Sequence, residues 1–126
     1  MIAFHGGAPG LRPGDWIVPR SPEDTAHFVD GCPVCEARRR GERLPEDDLD
    51  PTLVYVTTER DYATVFADGY PRGGLYRVET QGELTPSPDP VPSWGVPRAR
   101  VVSVLDRLVR LSVHDRRRLQ RRYLGR

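Results

Sequence analysis

From Pro86 to Pro92 proline stands at every second position, in Pro86-Ser87-Pro88-Asp89-Pro90-Val91-Pro92. Each proline lacks the N–H that a ladder bond needs and has a fixed φ, so this stretch is read as an extended loop barred from the middle of a sheet. Punctuation of this kind recurs elsewhere, with 12 glycines and 13 prolines among 126 residues. A chain so interrupted folds through short strands, short helices and tight turns. Its length suits a single domain, 1–126, with one core.

Between the breaks the patterning names the elements. Residues 1–20 read as short strands and turns around Phe4-His5-Gly6-Gly7 and Leu11-Arg12-Pro13-Gly14-Asp15-Trp16-Ile17-Val18. Residues 21–51 read as a charged surface insertion, with Ser21-Pro22-Glu23-Asp24 opening a short helix to Val29. The β-rich run 52–58 predicts a strand, and 59–68 a helix with Tyr62, Val65 and Phe66 on one side. After Gly73-Gly74, Leu75-Tyr76-Arg77-Val78-Glu79-Thr80 alternates with period two, a second strand. Residues 98–111 are the longest apolar-rich run and read as two strands broken near Asp106. Ser112 looks like an N-cap with an acidic first turn, leading a basic helix over about 113–123. The expected class is α+β.

Composition narrows the function. Hydrophobic residues make up 37% and charged residues 29%, mean hydropathy is −0.56, and no apolar run reaches the roughly 18 residues of a membrane span. The opening residues lack the pattern of a secretory signal, so a cytoplasmic protein with no membrane partner is expected. Net charge +1 argues against a general polyanion binder. All 19 basic residues are arginine, the mark of a high-GC, bacterial coding sequence rather than of a selected guanidinium surface.

Several polar residues stand beside turns rather than on amphipathic faces. His5, next to Gly6, can form the floor of a pocket where a ligand approaches the backbone, although a lone histidine is more often structural. Tyr55 and Tyr62 can face one space between strand and helix and sandwich a flat or cationic ring; two core tyrosines are the plainer reading. Asp89, between Pro88 and Pro90, is a carboxylate on a stiff backbone, as a catalytic acid requires, or part of a plain turn. Cys32 and Cys35 with His27 supply three zinc ligands where a structural site takes four, with Asp30 or a group from elsewhere to complete it. Two unligated thiols are the favoured reading, zinc comes second, and a disulfide or redox pair third. The clusters 116–118 and 121–122 make the last helix basic, a solvated face before it is a nucleic-acid surface.

In order, Phe4-His5-Gly6-Gly7 with Leu11-Arg12-Pro13-Gly14-Asp15, Val54-Tyr55-Val56-Thr57-Thr58 with Tyr62-Ala63, Leu75 to Gly82, and Ser93-Trp94 leading to Arg100-Val101-Val102-Ser103-Val104 resemble the rifamycin ADP-ribosyltransferases. These are small members of the diphtheria-toxin-like and poly-ADP-ribose-polymerase-like branch of the ADP-ribosyltransferase fold. The resemblance implies a compact split β-sheet with a few short helices, and NAD as co-substrate. It implies a triad of His5, Tyr55 and Asp89, with His5 on the ribose beside nicotinamide and the Gly6 backbone on the carboxamide. Tyr55 would stack on the nicotinamide ring and Tyr62 would close its other side. The product would be ADP-ribose joined to an acceptor, with no metal required. The chain departs from the family pattern in the insertion 32–50 and in the shorter loop 89–98, the regions that shape an acceptor pocket. The acceptor therefore stays open among a rifamycin-type antibiotic, another small molecule, a protein and a nucleic acid. Two other readings stand beside this one. A non-catalytic module would use the insertion and the arginine-rich helix to bind protein or nucleic acid, and an RNA 2′-phosphotransferase-like enzyme would use Arg12, Arg72 and Arg98 around a phosphate.

Overall fold

In the structure of the protein, a computed structural model that describes residues 1–19, 40, 52–70 and 72–124, the alternating run after Gly73 becomes strand β4 (Gly74–Gln81). The other elements in chain order are β1 (Ile2–Gly7), β2 (Trp16–Ile17), β3 (Val54–Thr57), α1 (Arg60–Asp68), β5 (Thr85–Pro86), β6 (Ser93–Val96), β7 (Arg98–Asp106) and α2 (Val113–Leu124). Among the described residues every strand pairing is antiparallel, and the strands form one seven-stranded sheet in the order β2-β7-β4-β1-β3-β6-β5. With the two helices this is the expected α+β class.

Period-two alternation sends successive side chains to opposite faces. Tyr76 and Val78 join Ala3, Val54, Val56, Val96, Ala99 and Val101 in the core on one face. Each fully buried valine there stabilises the fold by about 1.5–3 kcal/mol. Leu75 points the other way, into a cluster with Ala63, Ala67 and Val109 beneath α1. A Cβ on Gly6 would lie 1.8 Å from the Ala63 carbonyl oxygen, and one on Gly73 would lie 1.8 Å from that of Ala67. The helix therefore rests directly on backbone. Tyr62, Val65 and Phe66 do share one side of α1, along the wall of a cleft, but the close approach buries a further face of the helix. Its buried residues are Tyr62, Ala63 and Ala67, because only alanine fits over the two glycines, and Phe66 is displaced to 43% exposure.

Residues 98–111 hold one strand rather than two. After β7 the Asp106 carboxylate accepts the Leu108 N–H at 3.0 Å and the Val109 N–H bonds to the Gly73 carbonyl at 2.8 Å. That turn carries the chain off the sheet edge and under α1. The proline run enters the sheet only at its margin, where Pro86 of β5 pairs with Trp94 of β6, as the missing N–H dictates. In α2 the expected cap is present: Ser112 Oγ accepts the Asp115 N–H at 3.0 Å. This helix docks on α1 through a third cluster of Tyr62, Leu119 and Tyr123 and an Arg116–Asp68 pair at 2.7 Å. Tyr123 also donates to Glu59 at 3.1 Å.

Candidate functional site

Strand β1 is paired with β4 along all of Ile2–Gly7, yet it meets β3 at one pair alone, Phe4↔Thr57. Continued antiparallel register would set Gly6 opposite Tyr55. Instead the strands part there, and the expected split sheet is a continuous sheet with a one-pair seam. Across the gap, His5 Nδ1 donates a hydrogen bond of 2.8 Å to the Tyr55 carbonyl oxygen. A cleft of about 270 Å³ opens at this point, walled by His5, Gly6, Tyr55, Tyr62, Phe66, Asp89 and Ser93 among others.

Each wall residue has a local reason for its place. Val54 and Val56 enter the core, so Tyr55 between them projects to the face that carries α1. Its cross-strand partner is Gly95, where a Cβ would stand 3.2 Å from Tyr55 Cε1; the missing side chain gives the ring its bed. Gly6 is required by α1 packing on one side and lies beside the open seam on the other.

Asp89 sits on a loop closed by the Ser87 N–H to Ser93 carbonyl bond at 3.0 Å. The loop is tied to the end of β3, where Thr57 Oγ1 donates to the Pro92 carbonyl at 2.8 Å and accepts the Glu59 N–H at 3.0 Å. Tyr62 donates to Asp89 Oδ1 at 2.6 Å, and Ser87 Oγ donates a hydrogen bond to Oδ2. Burial raises the Tyr62 hydroxyl well above the ordinary tyrosine range, and the hydrogen bond to Asp89 and its charge push the same way. Tyr62 therefore stays a donor at neutral pH.

The structure thus brings His5, Gly6, Tyr55, Tyr62 and Asp89 to one cleft. It gives Tyr62 a different setting from the expected stacking face. The residue is 3% exposed and packs edge-on against Phe66 at 5.0 Å and Tyr123 at 5.2 Å. Phe66, one turn on, is the α1 aromatic with ring surface open to the cleft. Ser87 and Ser93 join this site although no motif marks them as site residues. Alternation with Asp89 between prolines is the signal for Ser87; Ser93, 6% exposed with a hydroxyl that has no hydrogen-bond partner among the described residues, has none short of the β3–β6 register.

The set Cys32, Cys35 and His27 lies outside the described residues, and among those described no three His, Cys, Asp or Glu side chains cluster as a metal would need. Arg12, Arg72 and Arg98 do not line the cleft. Arg98 hydrogen-bonds Gln81 and stacks on Trp16 at 4.1 Å. In the basic helix, Arg116 is committed to Asp68 and Arg122 lies 3.8 Å from Asp61. No described helix is long and apolar enough to cross a membrane.

The fold and cleft define an α+β protein whose candidate site lies at the seam of an antiparallel sheet, lined among the described residues by one carboxylate, one histidine and several aromatic rings. No family model matches the chain, and no curated protein matches it.

Proposed function

We propose that the protein is an NAD-dependent mono-ADP-ribosyltransferase with an ADP-ribosyltransferase-like fold, as the rifamycin ADP-ribosyltransferase resemblance implies. The observation that carries this reading is the convergence of His5, Gly6, Tyr55 and Asp89, from three separate stretches of chain, on the cleft at the β1–β3 seam. A cleft of about 270 Å³ lies near the lower end of ligand pockets, roughly 300–1,000 Å³, so it suits nicotinamide with its ribose rather than a whole dinucleotide.

In this reading Tyr55 stacks on the nicotinamide ring and His5, held by its bond to the Tyr55 carbonyl, meets the adjoining ribose. The C1′–N bond breaks with its electron pair leaving on nicotinamide, which becomes neutral. Positive charge develops on the sugar, and the Asp89 carboxylate stabilises it more in the transition state than in the ground state. An acceptor hydroxyl forms the new C1′–O bond, and its proton passes to Asp89 or to water. Aromatic rings hold the cationic ring of NAD more tightly than the neutral product, which favours release. In this reading these residues serve the donor half of the reaction, and the acceptor is any nucleophile that the outer part of the cleft admits.

Calorimetric titration of NAD, with His5→Ala alongside, tests the reading without an acceptor. Micromolar to low-millimolar binding, weakened by the substitution, is the expected result. Absence of binding to the wild type would remove the transferase reading. The cleft would then be one of a binding module, whose salt-dependent partner would be sought through the exposed arginines of α2.

A further inference from the structure

The carboxylate proposed to face the sugar is gripped at both oxygens, and the grips come from different parts of the molecule. Tyr62 reaches Oδ1 from α1 and Ser87 reaches Oδ2 from within the loop itself. A carboxylate has about four lone-pair sites, so the two hydroxyl donors leave room on each oxygen for a further contact. They also fix the plane of the group: rotation about the Cβ–Cγ bond breaks both bonds together. Pro88 and Pro90 stiffen the backbone on either side of Asp89.

Tyr62 is itself held. Phe66 and Tyr123 pack against its ring, and Leu119 closes the same cluster. Tyr123 in turn donates to Glu59 just before α1. The two helices thus hold one hydroxyl in place behind the carboxylate.

We propose that Tyr62 and Ser87 are positioning residues that orient the Asp89 carboxylate toward the cleft, with α2 holding Tyr62 in register. The proposal rests on the transferase reading and deepens it by giving Tyr62 a role other than ring stacking. Ser87 does not line the cleft, and Tyr62, though part of its wall, directs its hydroxyl to Asp89. Their loss therefore lowers turnover and leaves donor affinity in place, whereas loss of a stacking ring weakens NAD binding.

The test uses the full chain and follows slow cleavage of NAD with water as acceptor, together with calorimetric NAD affinity. Wild type, Tyr62→Phe, Ser87→Ala, Ser87→Thr, the Tyr62→Phe/Ser87→Ala double variant and Asp89→Asn are compared. Tyr62→Phe keeps the ring that α2 packs against, and Ser87→Ala alters a loop residue outside the core, so both variants fold.

The expected result is a fall in kcat of about 10- to 100-fold for Tyr62→Phe and for Ser87→Ala, the factor carried by one hydrogen bond to a charged group. NAD affinity stays at the wild-type value, Ser87→Thr restores turnover, and the double variant loses less than the product of the two single effects because both act on one carboxylate. A loss of NAD affinity in Tyr62→Phe with kcat intact overturns the proposal in favour of ligand contact. Loss of cleavage in Asp89→Asn alone, with Tyr62→Phe and Ser87→Ala at wild-type turnover, overturns the positioning role and leaves the transferase reading standing. Full cleavage in Asp89→Asn, or none in the wild type, removes the transferase reading and the positioning role with it.

Discussion

On one side of the seam β1, β4 and β7 are joined by long ladders, and Tyr76, Val78 and Val101 fill the space behind them. On the other side β3 pairs with the four-residue β6, and the loop bearing Asp89 is attached through hydrogen bonds at Thr57 and Tyr62 and braced internally by Ser87. The first region derives its order from many cooperative bonds and buried apolar area; in the second, Val54, Val56 and Val96 of β3 and β6 share that same core, and it is the Asp89 loop beyond them that depends on a few individual contacts. This division has a functional use. His5 and Gly6 sit on the stiff side, while the carboxylate sits where single hydroxyls set its orientation. Stability and site geometry can therefore be perturbed separately.

Tyr76→Ala is the substitution that strikes hardest at the stiff side. The ring is 1% exposed and its hydroxyl donates to the Ala8 carbonyl at 2.6 Å, so truncation leaves both a cavity and an unpaired carbonyl. A loss of about 3–5 kcal/mol, the cost of deleting a buried aromatic ring, is expected in urea unfolding. A loss no larger than that of a surface residue would show that the ladders, not the packing behind them, carry this half.

Thr57→Val probes the other side at nearly constant shape. It removes the donor to Pro92 and the acceptor for the Glu59 N–H, for an expected cost of about 1–2 kcal/mol. Amide exchange should quicken in 87–96 and remain slow in β4. If exchange rises equally in both regions, the two sides unfold as one unit and the contrast between them fails.

The sequence exposes these two regions unequally. The strands and α1 are legible because the period-two run at 75–80 and the Gly73-Gly74 break follow local rules that tertiary contacts did not override. Asp89 stands out because prolines flank it. The side of α1 bearing Tyr62, Val65 and Phe66 is legible, but the burial of Ala63 and Ala67 is not: hydrophobicity favours Phe66 over Ala63, and only the backbone contact at Gly6 and Gly73 reverses that preference. Nor does 93–96 announce a strand, since Gly95 weakens its propensity, and only the fold shows that a Cβ there would crowd Leu53 and Tyr55. The grip on Asp89 depends on a contact between residues 62 and 89, which no local pattern encodes.

Alkaline pH gives the smallest effect and the finest comparison. Burial raises Tyr76 on the stiff side, partly offset by the hydrogen bond from the Leu11 N–H, with the charge of Asp15 raising it slightly. Burial, the hydrogen bond to Asp89 and the Asp89 charge raise Tyr62 further. An unfolded tyrosine ionises near pH 10, so above that value the unfolded chain binds fewer protons than the folded one, and stability falls as pH rises. Below about pH 10 both contributions are fully present. Tyr62→Phe should therefore flatten the alkaline limb of the stability profile more than Tyr76→Phe does, as read from urea midpoints taken across that range. The reverse order would mean that the Tyr62–Asp89 contact is less dehydrated than its burial indicates, and that the loop side of the seam opens before its tyrosine ionises.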